Sequence, residues 1–387
     1  MKRILYISPA PNPFMIHFGG AQRSNLLLKA CAQVGDVDVI CFADLPKNIK
    51  EEGFQLIYAH SLKSETKRQS RLRKFKNLFT AWHPEGQIEV DVAREQIIDK
   101  FVAQKQYDYI VTRYMHDAIS MGLYKYADRL VVDIDDSPVD YARNGAKNAK
   151  TLRNKLYMSF YTKMTEIAMR KFLDKITVSF FSNKHESDKY HSIFLPNIPF
   201  YDVDSQQIDR KYIKKGRLLF VGDLKHVPNY IGLDHFLTEI YPKINRDVEL
   251  HIVGRIFDEE RKQKWSAIDG VSVMGFVDDL VQEYAESEVV IIPIYFGAGT
   301  CIKVLESMQM KRVLVTTPVG ARGYEEYIAP NHEFLLARTD DEFVTAIQDA
   351  LDDNVLQEKL TTNASKVVEQ NFSKTAFYQV VKDSLNK

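Results

Sequence analysis

Cysteine is scarce: the chain of 387 residues has three, Cys31, Cys41 and Cys301. They show no CxxC spacing and their odd number closes no disulfide framework, which excludes a stapled secreted scaffold and a thiolate zinc site. Long apolar runs are missing as well. VVIIPI at Val289 to Ile294 is among the longest, far short of the roughly 20 residues that cross a bilayer. The opening MKRILYISPAP places only a few apolar residues between its charges and its prolines. That is too short for a signal-peptide core, and it reads as a buried first strand. Net charge is also absent, with 52 Lys plus Arg against 52 Asp plus Glu. A nucleic-acid binder would carry a basic excess, so none is expected as a partner. No GxxxxGKS/T, no GxGxxG after the first strand, no HExxH and no GxSxG occurs. These gaps count against P-loop nucleotidases, dinucleotide dehydrogenases, zinc peptidases and serine hydrolases. Ten histidines are scattered without ligand spacing.

What is present suffices for a large packed core: 45% hydrophobic residues, with 22 Phe and 20 Tyr. The length suits two domains. The neutral total hides an asymmetry. Residues 1–200 hold 30 basic and 22 acidic residues, and residues 201–387 hold 22 basic and 30 acidic. Two separate bodies are expected, one of them facing an anionic partner.

Short apolar runs alternate with segments of helical period. In the first half, strands are expected at Arg3–Ser8, Val37–Phe42, Tyr107–Thr112, Leu130–Ile134 and Ile176–Phe181. Helices are expected at Ala21–Val34, Val92–Gln104, Asp117–Ala127 and Leu152–Leu173. The second half repeats the rhythm. Its strands fall at Leu218–Val221, Glu249–Val253, Val271–Met274, Val289–Pro293, Val313–Thr316 and Phe334–Ala337. Its helices fall at Ile231–Tyr241, Leu280–Glu286, Cys301–Met310, Asp341–Leu351 and Val355–Gln370. Apolar strands joined by helices predict an α/β chain with parallel sheets covered on both faces. The proline-rich FLPNIPFYD and the polar QQIDRKYIKKG put the boundary between Pro196 and Gly216. Two doubly wound domains follow, and ligands bind such sheets beyond the carboxyl ends of the strands.

The segment Ile292 to Met310 carries the most chemistry. A buried strand ends at Pro293, the loop GAGT follows, and a helix opens near Thr300. Glycines at 297 and 299 let the backbone approach a ligand, and the amides of a helix start favour phosphate. Lys303 and Glu306 lie three apart and share one face. FVGDLKHVPN, Phe220 to Asn229, ends a second strand in Gly222 and continues into Lys225 and His226. TTPVGARG, Thr316 to Gly323, ends a third in a turn with two glycines. Three strand ends thus carry polar, glycine-bearing loops on one rim.

FVGDLKHVPN, HIVG at His251 to Gly254, and GAGTCIKVLESMQMKRVLVTTPVGARG resemble, in order and spacing, the C-terminal domain of retaining GT-B glycosyltransferases of group 1, family 4. GFVDDL at Gly275 to Leu280 and LPN before the linker add to the resemblance, as does HFGGAQRSNLLLKACAQVGDVDVICF near the N-terminus. The resemblance implies a GT-B fold, two Rossmann-like domains facing across a cleft. Residues 1–200 would be the acceptor domain and 201–370 the donor domain, with 371–387 a terminal helix packing back toward the first. Glu306 matches the second glutamate of the family's paired-glutamate motif, which holds the ribose. The backbone of Gly299, Thr300, Cys301 and Ile302 would hold the diphosphate beside Gly222. Gly19, Gly20 and Arg23 would form a loop approaching from the opposite domain. Ala298 stands where the motif has its first glutamate, and Asp223 and Pro228 where members carry Arg and Lys. Lys225 and Lys303 are expected to supply the missing positive charge. At the end of an N-domain strand, where many members have histidine, this chain has DIDD, Asp133 to Asp136. Asp135 joins the two lysines as the third candidate catalytic residue.

The activity so implied moves a sugar from a nucleotide-sugar donor to a saccharide or lipid-linked acceptor, in bacterial surface-polysaccharide synthesis. The nucleotide sugar is a substrate, and neither a cofactor nor a metal is expected. A sugar-nucleotide epimerase, a phosphorylase and a catalytically silent scaffold are the alternatives. With so little cysteine, a cytoplasmic chain is expected.

Two basic stretches point to the acceptor. KSETKRQSRLRKFKNLF, Lys63 to Phe79, has seven Lys/Arg against one Glu, and Arg143 to Lys155 holds five basic residues and no acidic one. Leu72, Phe75, Leu78 and Phe79 fall on one helical face, the pattern of a helix lying on anionic lipid at the inner leaflet. Each basic residue near such a surface contributes about 1 kcal/mol within a Debye length of about 8 Å. The protein should therefore sediment with anionic vesicles and not with neutral ones, releasing as salt rises. Changing Arg71, Arg73, Lys74 and Lys76 to Gln should abolish this; equal partitioning of the variant would make the stretch an ordinary solvated helix.

Overall fold

The computed structural model describes residues 1–9, 12–16, 19–45, 49, 53–61, 83–135, 137–147, 151–245, 247–256, 258–297 and 299–386. The basic stretch Lys63 to Phe79, part of the second one (148–150), Asp136 and Ala298 lie outside the described residues. The chain divides into two units. One comprises Met1–Asn197 with Lys374–Lys387, the other Ile198–Ser373. None of the described helices is long and apolar enough to cross a membrane.

The first unit is built on strands β1 (Lys2–Ser8), β2 (Gly35–Cys41), β3 (Phe54–Ala59), β4 (Tyr109–Arg113), β5 (Leu130–Asp135), β6 (Val178–Phe181) and β7 (Ile193–Phe194). All pair in parallel, in the order β3-β2-β1-β4-β5-β6-β7. Parallel neighbours need crossovers. These are α1 (Gly19–Ala32), α2 (Pro84–Gln87), α3 (Val92–Gln104), α4 (Met115–Ser120), α5 (Pro138–Lys147), α6 (Leu152–Leu173) and α7 (Lys184–Lys189). Asp91 and Thr151 start α3 and α6 by accepting the Arg94 and Asn154 amides on their side chains. Leu5, Ile7, Ile110, Leu130, Val132 and Phe172 sit in the core with no exposed surface. The single helix expected at Asp117–Ala127 is broken. Gly122, in a left-handed conformation (φ 70°), ends α4 and starts a separate 3-10 turn at Leu123–Arg129.

The second unit has β8 (Arg217–Val221), β9 (Glu249–Val253), β10 (Val271–Gly275), β11 (Val289–Ile292), β12 (Val313–Thr316) and β13 (Leu335–Leu336). Its order, β10-β9-β8-β11-β12-β13, reverses direction between β8 and β11. Helices α8 (Val227–His235), α9 (Glu259–Ser266), α10 (Leu280–Glu286), α11 (Ile302–Gln309), α12 (Asp340–Asp352) and α13 (Asn354–Asn371) cover it. The helix expected at Ile231–Tyr241 is observed as α8 running into a π-helical turn, Phe236–Ile240. Helix α14 (Lys374–Leu385) belongs to the first unit, where Phe377 stacks 5.8 Å from the Arg23 guanidinium.

Where β8 and β9 begin, charges close the sheet. Arg217 meets Glu286 at 2.5 Å and Glu249 at 3.0 Å, and Lys214 meets Glu286 at 2.7 Å. Buried His251 bridges two carboxylates, Nδ1 to Glu283 at 2.8 Å and Nε2 to Glu249 at 3.0 Å. The Glu283 bond above all, then Glu249, raises the His251 pKa against the opposing effect of burial. A raised imidazole pKa stabilises the fold below the unfolded value of about 6.5 and is lost as pH climbs through the folded value. In thermal melts between about pH 6 and pH 9, the gap between wild type and His251→Gln should narrow as pH rises. A constant gap would show that the imidazole charge does not contribute.

Candidate functional site

In a doubly wound sheet the crevice opens where the strand order reverses, at the carboxyl ends. Strands β8 and β11 flank that point here. The chain leaves β8 at Gly222, whose amide donates to Val253 O at 2.9 Å. Gly254 follows β9 with φ 145°, and a Cβ there would overlap the Gly222 carbonyl, so the two turns touch backbone to backbone. Gly222 also makes room for Lys303: a Cβ on it would stand 2.9 Å from Lys303 Cε and 3.1 Å from Nζ. Lys303 Nζ donates to Asn229 Oδ1 at 2.6 Å, and lies 5.3 Å from the Phe220 ring centroid. Asn229 is 5% exposed and its Nδ2 donates to the Asp223 carbonyl at 2.8 Å, which fixes the acceptor for the lysine.

The loop after β11 turns at Gly297 (φ 143°) and Gly299 (φ 76°), conformations that L side chains resist. Arg322 ties this loop down, donating to the carbonyls of Gly297 at 2.9 Å and Gly299 at 2.8 Å. Helix α11 then starts at Ile302. Its cap residue Cys301 puts no side-chain acceptor on the first-turn amides, and no acidic residue occupies that turn. A lysine in the first turn, Lys303, opposes the helix dipole, which favours negative charge there. Dipole, amides and ammonium together make an electropositive end suited to an anion. Burial lowers the His226 pKa, and repulsion from Lys303 lowers it further.

One turn on, Glu306 is 8% exposed and accepts a hydrogen bond from the Tyr284 hydroxyl at 3.3 Å. Burial raises its pKa, against the opposing pull of Lys303 and Tyr284. Tyr201 feels the Glu306 charge in turn, its own pKa raised by burial first and by Glu306 second. The structure thus brings Gly222, Gly299, Cys301, Ile302, Lys303 and Glu306 to one strand-end region. Lys225 stands in the exposed turn before α8, its amide donating to Asp223 Oδ1 at 3.0 Å. Thr300 precedes the α11 cap, half-buried.

In the first unit charge gathers at the ends of β4 and β5. Asp133 has no exposed surface and is gripped by two guanidiniums. Arg23 bonds it through Nε at 2.8 Å and a terminal nitrogen at 2.7 Å; Arg113 bonds it through Nε at 2.8 Å. Burial would raise the Asp133 pKa, but the two arginines outweigh it and hold it below the usual carboxylate range. Arg23 also donates to the carbonyls of Leu195 and Pro196, at 2.9 and 3.0 Å. Arg113 donates to Gly20 O and to Asp135 Oδ2, both at 2.6 Å. Among the described residues Asp135 Oδ1 has no hydrogen-bond partner, and it lies 3.6 Å from Arg23 Nε. Asp135 and Tyr114, at the carboxyl ends of neighbouring strands, both adopt φ 61°. Such strain persists where surrounding structure enforces it and gathers at functional sites.

One expectation is corrected. Gly19, Gly20 and Arg23 form no loop: they open helix α1, and Arg23 is 3% exposed. The buried carboxylate of Asp133 requires a counter-ion, and Arg23 turns inward to supply it. Residues not foreseen are Arg113, Asn229, Tyr284 and Arg322. A signal existed for Arg113, a charged residue closing the buried strand YIVTR.

The resemblance in the motifs is borne out. Residues 215–353 match the family model of the glycosyl transferases group 1. An uncharacterized 44.6 kDa protein in the cps region of Klebsiella pneumoniae is 25% identical over 304 residues, 72% of this chain and 75% of that one. The fold is that of GT-B glycosyltransferases. Sucrose-phosphate synthase from Thermosynechococcus elongatus superposes with a TM-score of 0.66 at 16% identity, covering 98% of this chain and 97% of its own. Anabaena HepE in complex with UDP and glucose gives 0.63 at 14% identity, with both chains fully covered.

The Asp133 cluster generates a stability prediction. Removing one partner of a buried ion pair leaves uncompensated charge and costs about 3–5 kcal/mol. Asp133→Asn keeps the shape and should lose that much in chemical denaturation, with two guanidiniums left facing each other. A loss under about 1 kcal/mol would assign the cluster no structural weight.

Proposed function

We propose that the chain is a retaining glycosyltransferase, moving a sugar from a nucleotide-sugar donor to a saccharide or lipid-linked acceptor in surface-polysaccharide assembly. One observation carries the donor side. Lys303 sits in the first turn of α11 beside amides that the Cys301 side chain does not cap, and leans on the bare Gly222 at the point where strand order reverses. A diphosphate leaving group develops negative charge, and preorganised N–H groups and cations lower the barrier by meeting it. The backbone of 299–302, Lys303 and Lys225 provide them, so the proposed reaction is metal-independent. Glu306, buried beside Tyr284, lacks water to solvate its charge, and ribose hydroxyls would donate to it. In the first unit, the unbonded Oδ1 of Asp135 is suited to accept from a sugar hydroxyl. With retention, the acceptor attacks the face that the phosphate leaves, and a phosphate oxygen takes its proton. The residues then bind and orient and need not act as a base. HepE, crystallised with UDP and glucose, supports the donor class. The relative from a cps region supports the polysaccharide setting. The basic stretch at Lys63 to Phe79 fits a lipid-linked acceptor at an anionic membrane surface.

The test is nucleoside diphosphate release from nucleotide sugars, with and without acceptor extract, followed by the anomeric configuration of the product. Lys303→Met should cut turnover by about 10²–10³, the usual effect of losing one charge-stabilising donor. Glu306→Ala should weaken nucleotide binding by about 10- to 100-fold, as expected for lost charged hydrogen bonds. Unchanged turnover in Lys303→Met would contradict the assignment, and no turnover of any nucleotide sugar by wild type would favour a silent scaffold.

A further inference from the structure

The second unit holds an open cavity of about 530 Å³ away from the strand-end crevice, between the segment 205–210, the end of α11 and one face of α13. Three cations, Arg210, Lys311 and Lys366, and three carboxylates, Asp209, Glu358 and Glu369, line it. Among the described residues none of these cations is paired with a carboxylate; Arg210 donates only to the neutral Gln357 Oε1, at 2.6 Å. Behind the wall a fourth cation, Arg312, is 2% exposed and is satisfied by backbone carbonyls alone. It donates to Tyr284 O, Lys311 O, Ile208 O and Ala285 O at 2.7 to 3.0 Å. Burial, then repulsion from Arg210, lowers the Arg312 pKa to about 10 in spite of Asp209.

Lys311 adds an independent observation. Helix α11 ends in paired bonds, Lys311 N to Met308 O at 3.1 Å and Arg312 N to Ser307 O at 3.0 Å. This motif places its penultimate residue in the left-handed region, where glycine is usual. Here a lysine with φ 54° occupies it. The backbone would be better served by glycine, and the residue that stands there is a long cation on the cavity wall.

We propose that this cavity is a second ligand site, for a sugar phosphate. Arg210, Lys311 and Lys366 take the phosphoryl group; Glu358, Glu369 and Thr362, on the α13 face, take sugar hydroxyls. The volume is in the range of small-molecule sites, roughly 300–1,000 Å³, and exceeds what inorganic phosphate fills. Among the described residues no aromatic side chain lines it, which leaves a nucleobase nothing there to stack on. The site does not depend on the glycosyltransferase reading, because none of its residues belongs to the donor crevice.

The test is calorimetric titration of the full chain with glucose 6-phosphate, inorganic phosphate and glucose, on wild type, Lys311→Gly, the double variant Arg210→Gln/Lys366→Gln, and Lys303→Met. Glucose 6-phosphate should bind more tightly than phosphate, and glucose should not bind. Lys311→Gly should melt at a higher temperature than wild type and still bind at least tenfold more weakly. The double variant should weaken binding to a similar degree, and Lys303→Met should leave it unchanged. The proposal fails if glucose 6-phosphate does not bind at millimolar concentration, or binds no better than phosphate. It also fails if binding survives in Lys311→Gly, or is lost in Lys303→Met, which would put the ligand in the donor crevice.

Discussion

A parallel sheet covered on both faces has almost nowhere to keep a charge. Its strands are apolar through their length, and polar side chains come at the ends, where the backbone leaves the ladder. Most strands of both sheets follow that constraint, and the residues of the candidate site gather at strand ends. In the second unit Gly222, the loop at Gly297–Gly299 and the start of α11 gather at the carboxyl ends of β8 and β11. In the first, Arg113 closes β4 and Asp135 closes β5. Asp133 and His251 are exceptions that show the cost: the first, with no exposure, is held by two arginines, and the second, central in β9, is held between two glutamates.

The two units solve opposite electrostatic problems. The first encloses a carboxylate and satisfies it internally, so the cluster of Arg23, Arg113 and Asp133 is closed and leaves one oxygen of Asp135 unbonded. The second leaves a helix start that its cap residue does not satisfy, with a lysine in the first turn and, one turn later, a buried glutamate whose charge acts against that of the lysine. In the proposed reading, that positive helix start is repaid when an anion binds.

Much of this was legible in the sequence, and the failures have physical causes. Val92–Gln104, Leu152–Leu173, Leu280–Glu286, Glu249–Val253 and Val313–Thr316 occur at the bounds their periodicity implies. Strand β3 was missed because it is an edge strand whose residues all retain some exposure, which blurs its pattern. Helix α5 begins at Pro138 and carries Gly145, so its breakers mask its amphipathic character. Lys303, Glu306 and Gly222 were legible because they lie on contiguous motifs. Arg23 was misplaced because its partner Asp133 is 110 residues away, and Asn229 was invisible as a lysine anchor because 74 residues separate it from Lys303. Local pattern finds the elements; the counter-ions come from the topology.

The central claim is that the end of β8 and the start of α11 form the nucleotide site. Hydrogen–deuterium exchange of the full chain, with and without saturating uridine or guanosine diphosphate, tests it most directly. The account predicts slowed exchange in the peptides covering 222–229 and 299–306 with the nucleotide that binds. Slowed exchange confined to other segments, with those two unaffected, would contradict it.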